Sequence, residues 1–439
     1  MLTLSCFLGL HTTCVDFSNA FAQADIPEGQ HVYIQVPHGF ENEFPKDSCL
    51  KLNKSLYGQL DAARLWYEKL RDGLKARGLV PSKVDPCLFL SKKIIVICYV
   101  DDCLIFAKDQ KDIDDLLESF KKDGDELNWE MTVGGTVEEF LGLNFEKIKV
   151  GEEIHYKSSQ PGLIDKILIA TGMTKCNGKK SPTVGKRALG PELGSEPAEQ
   201  KWKYASVIGM LLYLTNSMPE ITFAVNQCAR YTHGHRKAHE DAILQICRYL
   251  QENKTKGLIL KPSSTCNVDC YVDADFAGLY SVTDPNKSDS ARSRAGFVLT
   301  VADCPVVWKS KLIHEICLST LHSEYVALSM AVREFLPLKE LVKEILSQYK
   351  FETDKIQFIA HSVLFEDNVG CETVVKSQRY TPTSKFICVK YHWVRQYVSG
   401  PLKEFDVEHI DGKVHPADIF TKGLEDDNFV KIRKILCGW

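Results

Sequence analysis

Apolar and polar positions along the chain change period twice. Residues 1 to about 175 alternate short β-branched runs with stretches of helical period. Residues 176–264 open on a loop rich in Gly, Pro and Lys (177–197) and then keep a helical period over 205–217, 221–231 and 239–251. From 265 to 439 the pattern predicts strands at 268–274, 295–300 and 306–310, then a long helix over 319–346 interrupted near Pro337. A strand at 356–365, a helix at 368–376, a strand at 405–410 and a helix from Ala417 follow. Met1 to Leu10 is apolar with no preceding Lys or Arg, which reads as a core helix leading into the strand that carries Asp16 rather than as a secretory signal.

The sharpest local feature is Ile94-Ile95-Val96-Ile97-Cys98-Tyr99-Val100-Asp101-Asp102-Cys103-Leu104-Ile105-Phe106-Ala107. Two buried strands flank an acidic pair at a hairpin turn. Adjacent carboxylates between apolar walls are unfavourable unless a cation compensates. Oxygen ligands with room for water suit magnesium. A solvated Asp-Asp turn is the alternative from these residues alone.

Further motifs surround that hairpin. Upstream lie Val15-Asp16-Phe17-Ser18-Asn19-Ala20-Phe21 and Val32-Tyr33-Ile34-Gln35-Val36-Pro37. Leu56-Tyr57-Gly58, Trp66-Tyr67 and Asp85-Pro86-Cys87-Leu88-Phe89 come next. In type, order and spacing this series resembles the reverse transcriptase of copia-type retrotransposons. The resemblance implies a palm in which Asp16, Asp101 and Asp102 are metal ligands and catalytic residues. It also implies that Phe21 packs under the incoming sugar, although a plain core aromatic is equally compatible, and that Gly58 allows close approach in the nucleotide pocket. Two departures weaken the polymerase reading. The family's basic residue after Tyr-Gly is lost and Asp61 appears, which disfavours phosphate binding. The chain also begins just before the Asp16 strand, so the basic fingers region is expected to be largely missing.

A second acidic series occupies the last region. Tyr271-Val272-Asp273-Ala274-Asp275 places carboxylates at a strand end, and Ser319-Thr320-Leu321-His322-Ser323-Glu324 places one near a helix start. Phe365-Glu366-Asp367-Asn368 and His415-Pro416-Ala417-Asp418-Ile419-Phe420-Thr421-Lys422 supply two more. Strand, helix, strand and helix, each with one carboxylate, is similar to the ribonuclease H of the same elements. That resemblance implies Asp273, Glu324, Asp367 and Asp418 as catalytic metal ligands, with Asp275 as a neighbour of Asp273 on one strand face. Arg292 and Arg294 resemble the basic turn that faces a nucleic-acid backbone. His409 is a candidate proton carrier, and His392 reads as a packing residue.

The implied fold class is α/β and α+β: polymerase palm and thumb (1–175), a helical connection (176–264) and a ribonuclease H-like domain (265–439). The implied function is RNA-directed DNA polymerase with cleavage of the RNA strand of RNA/DNA hybrids. An RNA template, a DNA primer and deoxynucleoside triphosphates would be the partners. Two Mg2+ ions per active site, or Mn2+, would serve both reactions. The alternative is a truncated, inactive element remnant that at most binds nucleic acid.

Bulk composition changes this picture little. The chain has 439 residues, enough for two or three domains. A net charge of -4 excludes a uniformly basic nucleic-acid binder, though not a basic channel beside acidic metal sites. The 16 cysteines show no Cys-x-x-Cys and no zinc-knuckle spacing, which fits buried thiols in a reducing compartment. No run is long enough to span a membrane, so a cytoplasmic location is expected.

Overall fold

Alternating β-branched residues and two helices with apolar stripes build the first unit. A computed structural model describes residues 1–121, 129–150, 153–183, 185, 188–192, 194–280, 288–348, 362–377, 379 and 384–439. Packing divides the chain into two units. One comprises Leu8–Leu141 with Leu341–Glu352, and the other comprises Met1–Phe7, Gly142–Glu340 and Thr353–Trp439.

In the Leu8–Leu141 unit, β1 (His11–Asp16), β2 (Ile94–Tyr99) and β3 (Asp102–Ala107) lie in a six-stranded sheet. Its order is Val80–Pro81, Leu88–Leu90, β2, β3, β1, Thr132–Gly135. The hairpin expected around the acidic pair is present: Tyr99 faces Asp102, and Val100-Asp101 forms the turn. Helices α1 (Ala62–Ala76) and α2 (Gln110–Lys121) cover the sheet. Leu65, Trp66, Leu70 and Leu74 recur at helical spacing and meet Val15, Val96 and Ile105 in one core with Ile113, Leu116 and Phe120. Phe17 sits at its centre, edge-on to Trp66 at 5.5 Å and to Phe120 at 5.8 Å. Such pairs contribute about 0.5–1.5 kcal/mol each beyond area burial.

The larger unit holds a mixed five-stranded sheet made of β4 (Val268–Asp275), β5 (Arg294–Val301), β6 (Cys304–Leu312), β7 (Val363–Glu366) and β8 (Asp406–His409). The order is β6-β5-β4-β7-β8. β4 pairs antiparallel with β5 and parallel with β7, and β7 pairs parallel with β8. The central strands are buried on both faces, which explains their unbroken apolar runs. Residues 356–361 of the strand expected at 356–365 lie outside the described residues.

Helices Pro161–Thr171, Tyr204–Leu214, Thr222–Ala229 and Lys237–Glu252 follow the expected helical stretch. Their apolar faces, including Ile164, Leu211, Val225 and Ile246, join Val298, Phe420, Phe429 and Ile432 in one continuous core. Packing therefore cuts the chain at 141/142 and does not separate the helical stretch from the last region.

Two expectations differ from the structure. Helix α3 (Thr320–Gln348) runs on through Pro337. Proline there removes one backbone donor at a cost of about 3 kcal/mol. Buried Val332 and Phe335 before it, and Val342 and Ile345 after it, offset that cost. The last helix does not start at Ala417. Pro416–Phe420 is a single 3-10 turn, and α4 begins at Asp426 (Asp426–Cys437). Between them Gly423 passes against the Gly185 carbonyl, where a Cβ would lie 2.2 Å from that oxygen.

Candidate functional site

Register brings the first acidic trio to one end of a sheet. Asp16, the last residue of β1, lies directly opposite Asp102, the first residue of β3. Residues directly opposite in an antiparallel pair share a face. Asp101 occupies the turn, and its carbonyl accepts a hydrogen bond from the Phe17 amide at 2.9 Å. Val100 adopts φ 58°, a left-handed conformation unfavourable for a β-branched residue. The Trp66 indole holds it there by donating from Nε1 to the Val100 carbonyl at 2.5 Å. Burial, then the charges of Asp101 and Asp16, push the Asp102 carboxyl above its ordinary value. Phe21 is half-buried and packs on Tyr57 at 4.6 Å. Gly58 has φ 95° with no atom within 4 Å of a would-be Cβ, so backbone conformation demands glycine there.

The second acidic series is drawn together more tightly. Tyr271 of β4 lies beside Phe365 of β7, so Asp273 and Asp367, each two residues further on, are neighbours across the parallel pair. Carboxylate oxygens of Asp273, Asp367 and Asp418 lie within 4.8 Å of one another, and so do those of Glu324, Glu366 and Asp367. Among the described residues these are the groups of three or more potential metal ligands at that spacing, and Asp367 belongs to both. The trio of Asp16, Asp101 and Asp102 is in register but not gathered to that degree.

The electrostatics follow from enclosure. Burial and the Asp273 charge push the Asp418 carboxyl up to about 7, against the pull of Lys422. Burial and neighbouring carboxylates hold Glu324 and Glu366 well above the ordinary range, and raise Asp367 and Asp275. Oxygens of Glu324 (Oε2) and Glu366 (Oε2) are buried without a hydrogen-bond partner. Buried acids with orphaned oxygens are expensive unless a cation is shared among them. An all-oxygen donor set of this kind fits a hard divalent cation.

Three further residues brace the cluster. The Thr421 hydroxyl donates to Asp273 Oδ2. Lys422 Nζ lies 3.0 Å from Asp418 Oδ1 and 3.6 Å from Asp273 Oδ2. Burial works against the Lys422 charge, but Asp273 and Asp418 outweigh it and hold it above the ordinary lysine range. His415 donates from Nε2 to the Val272 carbonyl at 2.7 Å, and burial lowers its pKa. Glu366, Thr421, Lys422 and His415 were not singled out as site residues from sequence. The spacing of four between Asp418 and Lys422 was the available signal.

Other sequence candidates fall apart from the cluster. Arg294 starts β5 opposite Asp275 and is only 5% exposed. It donates to Ser310 Oγ at 3.1 Å and lies over the Phe223 ring. The expectation that Arg294 presents its charge to a nucleic-acid backbone is therefore corrected: the guanidinium is spent inside the fold. Arg292 is half-buried. His392 meets the Tyr325 hydroxyl at 3.0 Å, as a packing residue would. His409 is exposed at the end of β8, opposite Glu366.

Residues 2–185 match the family described as reverse transcriptase (RNA-dependent DNA polymerase). The chain is 28% identical over 99% of its length to the retrovirus-related Pol polyprotein from transposon TNT 1-94 of Nicotiana tabacum. It is 28% identical over 94% of its length to that from transposon RE1 of Arabidopsis thaliana, and 22% identical over 98% to the Ty1-DR5 Gag-Pol polyprotein of Saccharomyces cerevisiae. It spans 31%, 26% and 24% of those relatives. Among the described residues no helix is long and apolar enough to cross a membrane. Over nearly its whole length the chain is thus similar to Pol polyproteins of copia-type retrotransposons, and the match to the reverse transcriptase family covers residues 2–185.

Proposed function

We propose that the chain combines a palm for RNA-directed DNA synthesis with a ribonuclease H-like domain that cleaves the RNA strand of RNA/DNA hybrids. The observation that carries the second half is Asp367, just beyond the end of β7 and shared by two groups of clustered carboxylates. The sheet order, with two antiparallel and two parallel pairings, supports the ribonuclease H reading. The family match and the Asp16–Asp102 register support the polymerase.

Asp273, Asp367 and Asp418 would hold one divalent cation, and Glu324, Glu366 and Asp367 a second. When bound, such ions neutralise phosphate charge and acidify the attacking water. The protein's own part is positional. Thr421 fixes the orientation of the Asp273 carboxylate by donating to Oδ2. Helix α3 and strand β7 bury Glu324 and Glu366 so that their charged forms require a cation. His409, exposed and opposite Glu366, would carry a proton between the cluster and solvent. In the palm, Asp16, Asp101 and Asp102 would hold the ions of the polymerase. Phe21 and Gly58 would border the nucleotide, whose substrates are deoxynucleoside triphosphates on an RNA template with a DNA primer. Hybrid recognition would rest on groove shape and 2'-hydroxyls.

The test uses the full chain with an RNA/DNA hybrid and with a primed RNA template in Mg2+ or Mn2+. Cleavage lost in Asp273→Asn and Asp367→Asn supports the nuclease. Extension lost in Asp16→Asn and Asp102→Asn supports the polymerase. A well-folded chain that does neither returns the reading to an inactive remnant.

A further inference from the structure

Lys422 has a place in the acidic cluster that the proposed chemistry does not use. Its ammonium lies between Asp418 Oδ1, at 3.0 Å, and Asp273 Oδ2, at 3.6 Å. These two carboxylates come from the 3-10 turn and from the middle of the sheet, so one lysine links the two elements. Both are buried, at 6% and 3% exposure. The lysine side chain is 39% exposed, so it reaches the cluster from solvent and has room to withdraw to it.

We propose that Lys422 is a built-in counter-cation: it holds Asp273 and Asp418 in place when no divalent ion is bound and competes with that ion for their oxygens. The inference rests on the assignment of Asp273, Asp367 and Asp418 as a divalent-cation site. The physical argument is one of shared lone pairs. A divalent ion ligated by Asp273 and Asp418 needs the oxygens that face the ammonium. Two cations a few ångströms apart in a partly enclosed site also repel.

The segment is built for such an exchange. The backbone of Lys422 is anchored, since its amide and that of Thr421 both donate to the Asp418 carbonyl, at 3.3 and 3.2 Å. The Thr421 hydroxyl keeps its own bond to Asp273. Only the four-carbon stem has to move for the ammonium to leave. Lysine suits this role because its charge sits at the end of a flexible stem, whereas a planar guanidinium makes a rigid bidentate pair. Lys422 is thus a positioning residue that sets how tightly the metal is held.

The experiment follows thermal unfolding of the full chain in EDTA and then through a Mg2+ titration, for wild type, Lys422→Met, Lys422→Gln and Asp273→Asn. Asp273→Asn identifies the part of the Mg2+ response that belongs to this cluster. Lys422→Met keeps the stem and removes the charge, and Lys422→Gln guards against a packing effect of the methionine. Both should melt lower than wild type in EDTA. Both should reach half of the cluster's Mg2+ shift at a concentration lowered roughly threefold to tenfold, as expected for removing a competing charge from a partly screened site. If wild type shows the shift but the variants need the same or more Mg2+, Lys422 does not compete and the inference is overturned. If wild type and Asp273→Asn respond identically to Mg2+, the metal-site assignment fails first and this inference falls with it.

Discussion

Gly296 lies directly opposite Asp273 in the β4–β5 pair, and its missing side chain is what admits the Thr421 segment to the same face. A Cβ at Gly296 would lie 2.6 Å from Thr421 Cγ2 and 2.8 Å from Phe420 Cβ. Its backbone angles are ordinary, so the demand for glycine here is one of space. Gly296→Ala should push the 416–422 segment outward, costing about 1–3 kcal/mol as overpacking does. The displacement would carry Asp418 and Lys422 away from Asp273. Hybrid cleavage should fall by at least about tenfold, since small misplacements at a reacting centre are expensive. Cleavage assays on the folded variant check this, and unchanged cleavage would show that the segment does not need its seat.

The pairing of Asp16 with Asp102 predicts an electrostatic coupling. Burial, then Asp101, then Asp16 raise the Asp102 carboxyl. Removing a like charge lowers the pKa of its neighbour. In EDTA, Asp16→Asn and Asp101→Asn should each shift the Asp102 titration to lower pH, with the larger shift in Asp101→Asn. Carboxyl 13C signals of labelled aspartate report it directly. An Asp102 titration indifferent to Asp16→Asn would mean that the two side chains do not share a face.

How much of this was legible beforehand depended on whether a feature is local. The β2–β3 hairpin was readable because two β-branched runs flank an acidic turn, and the observed strands end within a residue of the pattern. Strands β4, β5 and β6 were readable for the same reason. The motifs named Asp273, Glu324, Asp367 and Asp418, and the structure gathers these carboxylates into two groups that share Asp367. Glu366 was passed over because strand alternation points consecutive residues to opposite faces. At the end of β7 the chain turns, and both Glu366 and Asp367 reach Glu324. Arg294 was read as facing nucleic acid because, with Arg292, it resembles the family's basic turn. Its burial depends on Phe223 and Ser310, which are distant in sequence. The domain cut at 141/142 was hidden for a similar reason: a continuous core joins residues from Ile164 to Ile432, and periodicity carries no information on which apolar faces meet.

A buried carboxyl away from the acidic cluster gives a pH-dependent prediction. Glu220 is 2% exposed, receiving the Tyr249 hydroxyl on Oε1 at 3.0 Å and the Cys437 thiol on Oε2 at 3.3 Å. Burial raises its carboxyl pKa in the folded chain. The folded state then binds a proton more tightly than the unfolded one, so stability falls as pH rises. The contribution is fully present below the unfolded value of about 4.3 and is lost as pH passes through the raised folded value. Glu220→Gln has no proton to lose. Relative to wild type it should gain stability as pH rises from 5 to 8, by thermal or urea unfolding. A stability difference constant across that range would place an ionised Glu220 in the folded protein.

The acidic cluster makes the same argument with a cation in play. Burial and Asp273 push Asp418 up to about 7, and Glu324 and Glu366 stand well above the ordinary range. Raised folded values mean stability that is complete below about 4 and declines as pH rises through 7. In EDTA the melting temperature should therefore fall between pH 6 and pH 8. A divalent ion binds the ionised carboxylates, so its stabilisation must grow with pH over the same interval. Asp367→Asn removes one charge from both carboxylate groups at once. It should flatten the decline in EDTA, because fewer like charges remain to repel, and also abolish most of the gain from Mg2+, because both groups lose a ligand. Melting curves at pH 6 and 8, with and without Mg2+, separate these effects. A Mg2+ gain equal at both pH values would mean that the carboxylates are already ionised without metal. A full gain in Asp367→Asn would mean that the ion binds elsewhere.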